Sequence, residues 1–197
     1  MECAPKAQFG LLGGTFFIGY SISSLFVPRL ADLYGRRPVT LINLLAQVLL
    51  QCALVFSTSF TLSAILLLAM GLCASGRMQV SYVYLTEFLT ETKTKRFGPF
   101  INASQLLPQV LASIAFKRVT RYTMFFELFA LILTCVVLLL SACFLPESPK
   151  YLINKNRFDD ARRALNTIAR FNGSERIDFG EVEFKVETVA KQDIKHT

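Results

Sequence analysis

Pro28-Arg29-Leu30-Ala31-Asp32-Leu33-Tyr34-Gly35-Arg36-Arg37 is a short charged segment set between two uncharged runs, residues 9–27 and 39–56. Each run approaches the roughly 20 apolar residues that a helix needs to cross a bilayer. The segment therefore reads as a tight loop between two membrane spans. Its three arginines, Arg29, Arg36 and Arg37, place the loop on the cytoplasmic side, because basic loops are retained there.

The rest of the composition agrees. The chain of 197 residues is 53% apolar and 18% charged, with mean hydropathy +0.45. An average soluble domain has about 25% charged residues. The net charge of +7 comes from basic residues in short clusters between apolar runs. That pattern fits membrane topology and not a nucleic-acid partner. Of the cysteines, Cys52, Cys73, Cys135 and Cys143 lie inside apolar runs, and Cys3 lies near the start. None belongs to a CxxC pair or has a histidine nearby, so they read as small hydrophobes and not as a disulfide or metal framework. The single histidine, His196, sits in a polar tail, and no nucleotide-binding glycine loop occurs. Asp159-Asp160 opens an amphipathic helix and needs no catalytic role. The sequence thus predicts no enzyme, no catalytic residue, no cofactor and no metal.

Five spans are expected, at about 9–27, 39–56, 62–85, 99–116 and 124–145. The first lacks the basic leader and small-residue cleavage site of a signal peptide, so the short N-terminus is expected outside. The loops at 29–37, 93–96 and 150–163 concentrate Arg and Lys, which puts the C-terminal tail in the cytoplasm. Lys117-Arg118-Val119-Thr120-Arg121 is an unusually basic stretch for the outer side. Gly10, Gly14, Gly19, Ser23 and Ser24 in the first span predict close packing against a neighbouring helix. Pro146-Glu147-Ser148-Pro149 ends the last span. An amphipathic helix follows over 157–171, with Phe158, Ala161, Leu165, Ile168 and Ala169 at three- and four-residue spacing and a stop at Asn172-Gly173. The expected organisation is a membrane domain at 1–148, a cytoplasmic amphipathic helical segment at 149–173 and a polar linker at 174–197.

Several motifs resemble one family, the sugar-porter and organic-ion branch of the major facilitator superfamily. Asp32, Gly35, Arg36 and Arg37 match the loop between helices 2 and 3, with Pro28 where that motif opens on Gly and Leu33 where Arg is common. Tyr82-Val83-Tyr84-Leu85-Thr86-Glu87-Phe88 resembles the segment entering the loop between helices 4 and 5. There Glu87 pairs with basic groups, for which Arg96, Arg36 and Arg37 are candidates. The stretch from Glu87 to Arg96 is about two residues longer than the family pattern, with Thr90 where Pro is common. Pro146-Glu147-Ser148-Pro149-Lys150-Tyr151-Leu152 resembles the signature that ends helix 6.

The resemblance implies an all-α membrane fold, with helices 2 to 6 of an N-terminal half-bundle and the cytoplasmic amphipathic helix after them. It also implies transport of a small organic solute by alternating access. Asp32, Gly35, Arg36, Arg37, Glu87, Arg96 and Glu147 would form a cytoplasmic gating network. On the residues alone, Asp32 is expected near the start of the following helix, where the dipole favours a carboxylate. Arg36 and Arg37 are expected to hold the loop inside and to contact lipid phosphate or a facing carboxylate, the alternative being that they are topology signals only.

Three amides near one helix face, Asn102, Gln105 and Gln109, suit a hydroxyl-rich ligand or interhelical hydrogen bonds. Gln105 matches a sugar-facing position of the family. Arg77 sits mid-span, where a charge costs about 2.5–3.5 kcal/mol or more, and is expected to face a cavity and favour an anionic solute. A snorkelling or helix-bridging arginine is the alternative. Glu127, near the outer end of the last span, is either a proton carrier or a first-turn helix acid. Sugar and organic ion both remain open as substrates. The family fold has two halves, each of two inverted three-helix units. The expected partners are therefore the solute, membrane lipid, and a facing half or another copy. The competing expectation is a non-transporting membrane fragment that packs with or regulates a related transporter.

Overall fold

In a computed structural model the chain is an all-α membrane protein, with no strand among the described residues, which are 6–89, 91–118 and 123–173. Thr90, residues 119–122 of the basic stretch, and the polar linker lie outside them. The helices are α1 (Lys6–Tyr34), α2 (Arg36–Val55), α3 (Phe60–Ser75), a π-helical segment (Gly76–Val80), α4 (Ser81–Phe88), α5 (Glu91–Arg118), α6 (Thr123–Phe144), α7 (Pro149–Asn154) and α8 (Phe158–Phe171). Four stretches are long and apolar enough to cross a membrane: Gly10–Tyr34, Arg36–Val55, Phe60–Phe88 and Met124–Phe144. α5, which contains the expected 99–116 span, falls outside that set. It carries Pro99 and Pro108 and the three amides among its apolar residues.

The decisive segment is not a loop. α1 runs through Pro28 to Tyr34, and only Gly35 separates it from α2. Proline removes one backbone donor and ordinarily weakens a helix interior. Here tertiary packing holds the helix beyond it. Ala31 is buried with Val39 of α2 and Val80 of the π segment, and Val27 packs against them. Gly35 then reverses the chain at φ 112°, a conformation a side chain resists.

α1 lies along α3, and the crossing is made by one glycine from each helix. Gly19 faces the Leu68 carbonyl and Leu72, while Gly71 faces the Phe16 carbonyl and Tyr20. A Cβ at either position would meet backbone, so the helices approach as closely as small residues permit. Gly10 and Gly14, expected in the same contact, have open space beside them among the described residues. α2 packs on both α3 and α6. Outward-facing Phe17, Leu25, Leu49, Ile65, Phe129 and Leu139 are exposed. In a bilayer that apolar surface meets acyl chains instead of water.

Beyond α6 the chain turns through residues 145–148. Ser148 caps α7 by accepting from the Tyr151 N–H at 3.3 Å, with Pro149 in the first turn. α7 and α8 pack together through Leu152, Ala161 and Ala164. α8 carries Asp159 and Asp160 in its first turn and Arg170 in its last, as its dipole favours. Gly173 at φ 65° follows its C-cap, Asn172.

Candidate functional site: a cytoplasmic-end charge cluster

At the Gly35 turn, residues from four parts of the chain meet. The Arg36 guanidinium forms an ion pair with Asp32, one turn earlier, and another with Glu87 at the end of α4. The Glu87 contacts are 3.2 Å from Nη2 and 3.4 Å from Nε. Arg36 and Glu87 are deeply placed, with side chains 13% and 9% exposed, whereas Asp32 is 64% exposed. Breaking such a buried pair from one side costs roughly 3–5 kcal/mol, because a charge is left without its partner.

Glu147 joins from the turn after α6 and serves a different purpose. Its Oε1 accepts from the backbone N–H of Arg36 at 3.0 Å, of Arg37 at 3.1 Å and of Ser148 at 3.0 Å. It therefore caps the N-terminus of α2, where the free amides and the dipole favour an anion. That is the position expected of Asp32. Asp32 instead lies in the last turns of α1 and pairs with Arg36, because α1 continues to Tyr34.

Three further contacts tie the cluster together. Arg37 Nη2 donates to the Ala142 carbonyl at 2.9 Å. The Tyr84 hydroxyl donates to the Pro146 carbonyl. The Tyr151 hydroxyl donates to the Leu33 carbonyl at 2.9 Å, and its ring lies 6.0 Å from the Arg36 guanidinium carbon. The two tyrosines lie inside the matching motifs, but nothing in their spacing marks them as latches. A cleft of about 280 Å³ opens beside the cluster, lined by Pro28, Ala31, Asp32, Arg36, Gln79 and Val83 among others.

Not every expected residue joins. Arg96 is exposed on α5 and makes no ion pair among the described residues; Arg36 takes its place at Glu87. Asn102, Gln105 and Gln109 lie on α5, but their side chains are outside the described set. Arg77 lies in the π segment, half-buried, with no ion pair among the described residues. The helix widens there as Asn43 packs over Gly76, where a Cβ would overlap its carboxamide. Single π turns recur at functional sites in other proteins.

One buried polar feature escaped the sequence reading. Gln47 and Gln51 of α2, one turn apart, are 3% and 5% exposed. Their Oε1 atoms and the Ser75 hydroxyl have no hydrogen-bond partner among the described residues. The spacing Thr40, Asn43, Gln47, Gln51 was the available signal, since it places amides and a hydroxyl along one helical face.

Comparison with known proteins finds similar sequences among transporters. A family model described as "Sugar (and other) transporter" matches residues 2–196. The chain is similar to human solute carrier family 22 member 2, with 26% identity over 180 residues, 88% of this chain and 31% of that protein. A putative transporter of Caenorhabditis elegans is 29% identical over 165 residues, 84% of this chain and 28% of its own length. Solute carrier family 22 member 6 of Pseudopleuronectes americanus is 31% identical over 170 residues, 84% of this chain and 29% of its own. The chain spans about a third of the length of these curated relatives.

Proposed function

The chain belongs to the sugar (and other) transporter family of the major facilitator superfamily, and on that premise we propose that it serves alternating-access transport of a small organic solute, an organic ion or a sugar. It is an integral membrane protein and a transporter polypeptide, not an enzyme. In the proposed topology α5 is a fifth span, the N-terminus lies outside, and α7, α8 and the tail lie in the cytoplasm. The arginine-rich Gly35 turn supports this orientation. The facing half is assigned to further sequence of a longer chain or to another copy, since alternating access needs two halves around one site.

The observation that carries the proposal is the union of Asp32, Arg36, Glu87 and Glu147 at one end of the bundle. Ion pairs between separate elements can break and re-form as helices shift, which is what a gate requires. Arg77 is assigned to the solute pathway because it is a half-buried cation with no acid paired to it among the described residues. An anionic or carboxylate-bearing solute is the chemistry it would favour. Asn102, Gln105 and Gln109 are assigned to the same pathway from α5.

The test is radiolabelled uptake into vesicles carrying the chain, with a hexose, an organic cation and an organic anion as probes. Saturable uptake of one class, reduced at least about tenfold in Arg77→Gln or Gln105→Ala, supports the proposal. Absence of saturable uptake by correctly inserted protein overturns it for this chain and favours a non-transporting partner of related transporters.

A further inference from the structure

A second recess lies away from the charge cluster, where the last turn of α6 meets the last turn of α8. It has a volume of about 470 Å³ and is lined by Cys143, Phe144, Thr167, Arg170 and Phe171. Its chemistry is divided. Phe144 and Phe171 meet edge to face at 6.2 Å between ring centroids. They nevertheless remain 56% and 63% exposed, so each ring is covered on one side only. Arg170 supplies the charge. It is exposed and makes no ion pair among the described residues. The Thr167 hydroxyl is turned to the Arg163 carbonyl at 3.0 Å, which leaves Arg170 as the donor facing the recess.

We infer that this recess seats one anionic phospholipid, with its headgroup phosphate on Arg170 and an acyl chain running past Phe144 and Cys143 along α6. Three observations converge on that occupant. First, the recess sits where the Met124–Phe144 stretch ends, the depth at which headgroup phosphates and interfacial aromatics lie. Second, the outward face of α6 continues from it without a polar break. Leu140, Val137, Leu133, Phe129 and Phe125 are all exposed, a surface that acyl chains cover. Third, the charge is one-sided. The α8 acids Asp159 and Asp160 are committed to Arg162, Arg157 and Arg163 in the first turns, about 15 Å from Arg170 along the helix. Arg163, two turns before Arg170, is 82% exposed and paired with Asp160, which leaves Arg170 as the cation at the recess. A planar guanidinium matches phosphate oxygens in bidentate geometry. Anionic lipids of the cytoplasmic leaflet draw basic residues just outside a span. The inference rests on the proposed topology for the leaflet, but not on any solute.

The test uses the purified full chain in a neutral detergent. Phosphatidylglycerol or phosphatidylcholine is titrated in, and the unfolding midpoint and the mass of bound lipid are followed. Phosphatidylglycerol should raise the midpoint by roughly 5 °C or more near saturation, and phosphatidylcholine should not. Arg170→Gln should weaken the phosphatidylglycerol response roughly tenfold or more, while Arg29→Gln, an exposed cation elsewhere, should keep it. Equal responses to the two lipids, a full response in Arg170→Gln, or an equal loss in Arg29→Gln would overturn the assignment. Failure here leaves solute uptake untouched, and failed uptake leaves the lipid response readable.

Discussion

Gly35 and Glu147 occupy adjoining space: a Cβ built on Gly35 would lie 2.7 Å from Glu147 Oε2. The turn between α1 and α2 and the cap contributed by the chain after α6 are therefore one unit. Gly35→Ala is expected to combine two costs, a side chain at φ 112° and a displaced carboxylate. Together they should destabilise the bundle by about 2–3 kcal/mol. A thermal midpoint of the purified chain unchanged by this substitution would contradict the coupling.

Replacement of Glu147 should separate charge from hydrogen bonding. Glu147→Gln keeps an acceptor over the Arg36 and Arg37 amides and should lose about 1 kcal/mol. Glu147→Ala leaves those amides and the Ser148 amide without it and should lose about 2–3 kcal/mol. Chemical denaturation of the two variants gives the order; equal losses would mean that the carboxamide cannot cap.

A double-mutant cycle on Arg36 and Glu87 tests the ion pair. Glu87→Ala alone leaves the Arg36 guanidinium with Asp32 as its one acid among the described residues, so the single changes should sum to more than the double change. The expected coupling is about 1–3 kcal/mol. Additive losses would remove the pair from any account of the cluster.

The α1–α3 crossing makes a positional prediction. Gly71→Val or Gly19→Val must push backbone apart and should cost more than about 3 kcal/mol, enough to lower the yield of folded protein. Gly14→Val faces open space and should change stability by under about 0.5 kcal/mol. Fluorescence-detected size exclusion of the variants is sufficient to distinguish them.

Gln47→Leu should be neutral or stabilising by up to about 1 kcal/mol, since it removes a buried carboxamide oxygen that has no partner among the described residues. Leu44→Ala on the same face should lose about 2–5 kcal/mol. A marked loss in Gln47→Leu would mean that water bridges this seam.

Hydropathy and charge, read along the chain, determined the class of the fold and most helix positions. An uncharged run near 20 residues has few alternatives to a span, and basic clusters between runs mark its ends. The motifs likewise grouped Asp32, Gly35, Arg36, Arg37, Glu87, Arg96 and Glu147 as one expected set. Only the tertiary structure decided how they pair. The sequence pointed to a loop after Pro28, but Ala31 packing on Val39 and Val80 carries α1 to Tyr34. That extension keeps Asp32 from the α2 N-terminus and leaves the position to Glu147, 111 residues from Arg36 in sequence. Arg36, and not Arg96, pairs with Glu87, while Arg96 is exposed on α5. Pairing of charges depends on which helix ends meet within about 4 Å, a distance set by packing between elements and absent from local sequence.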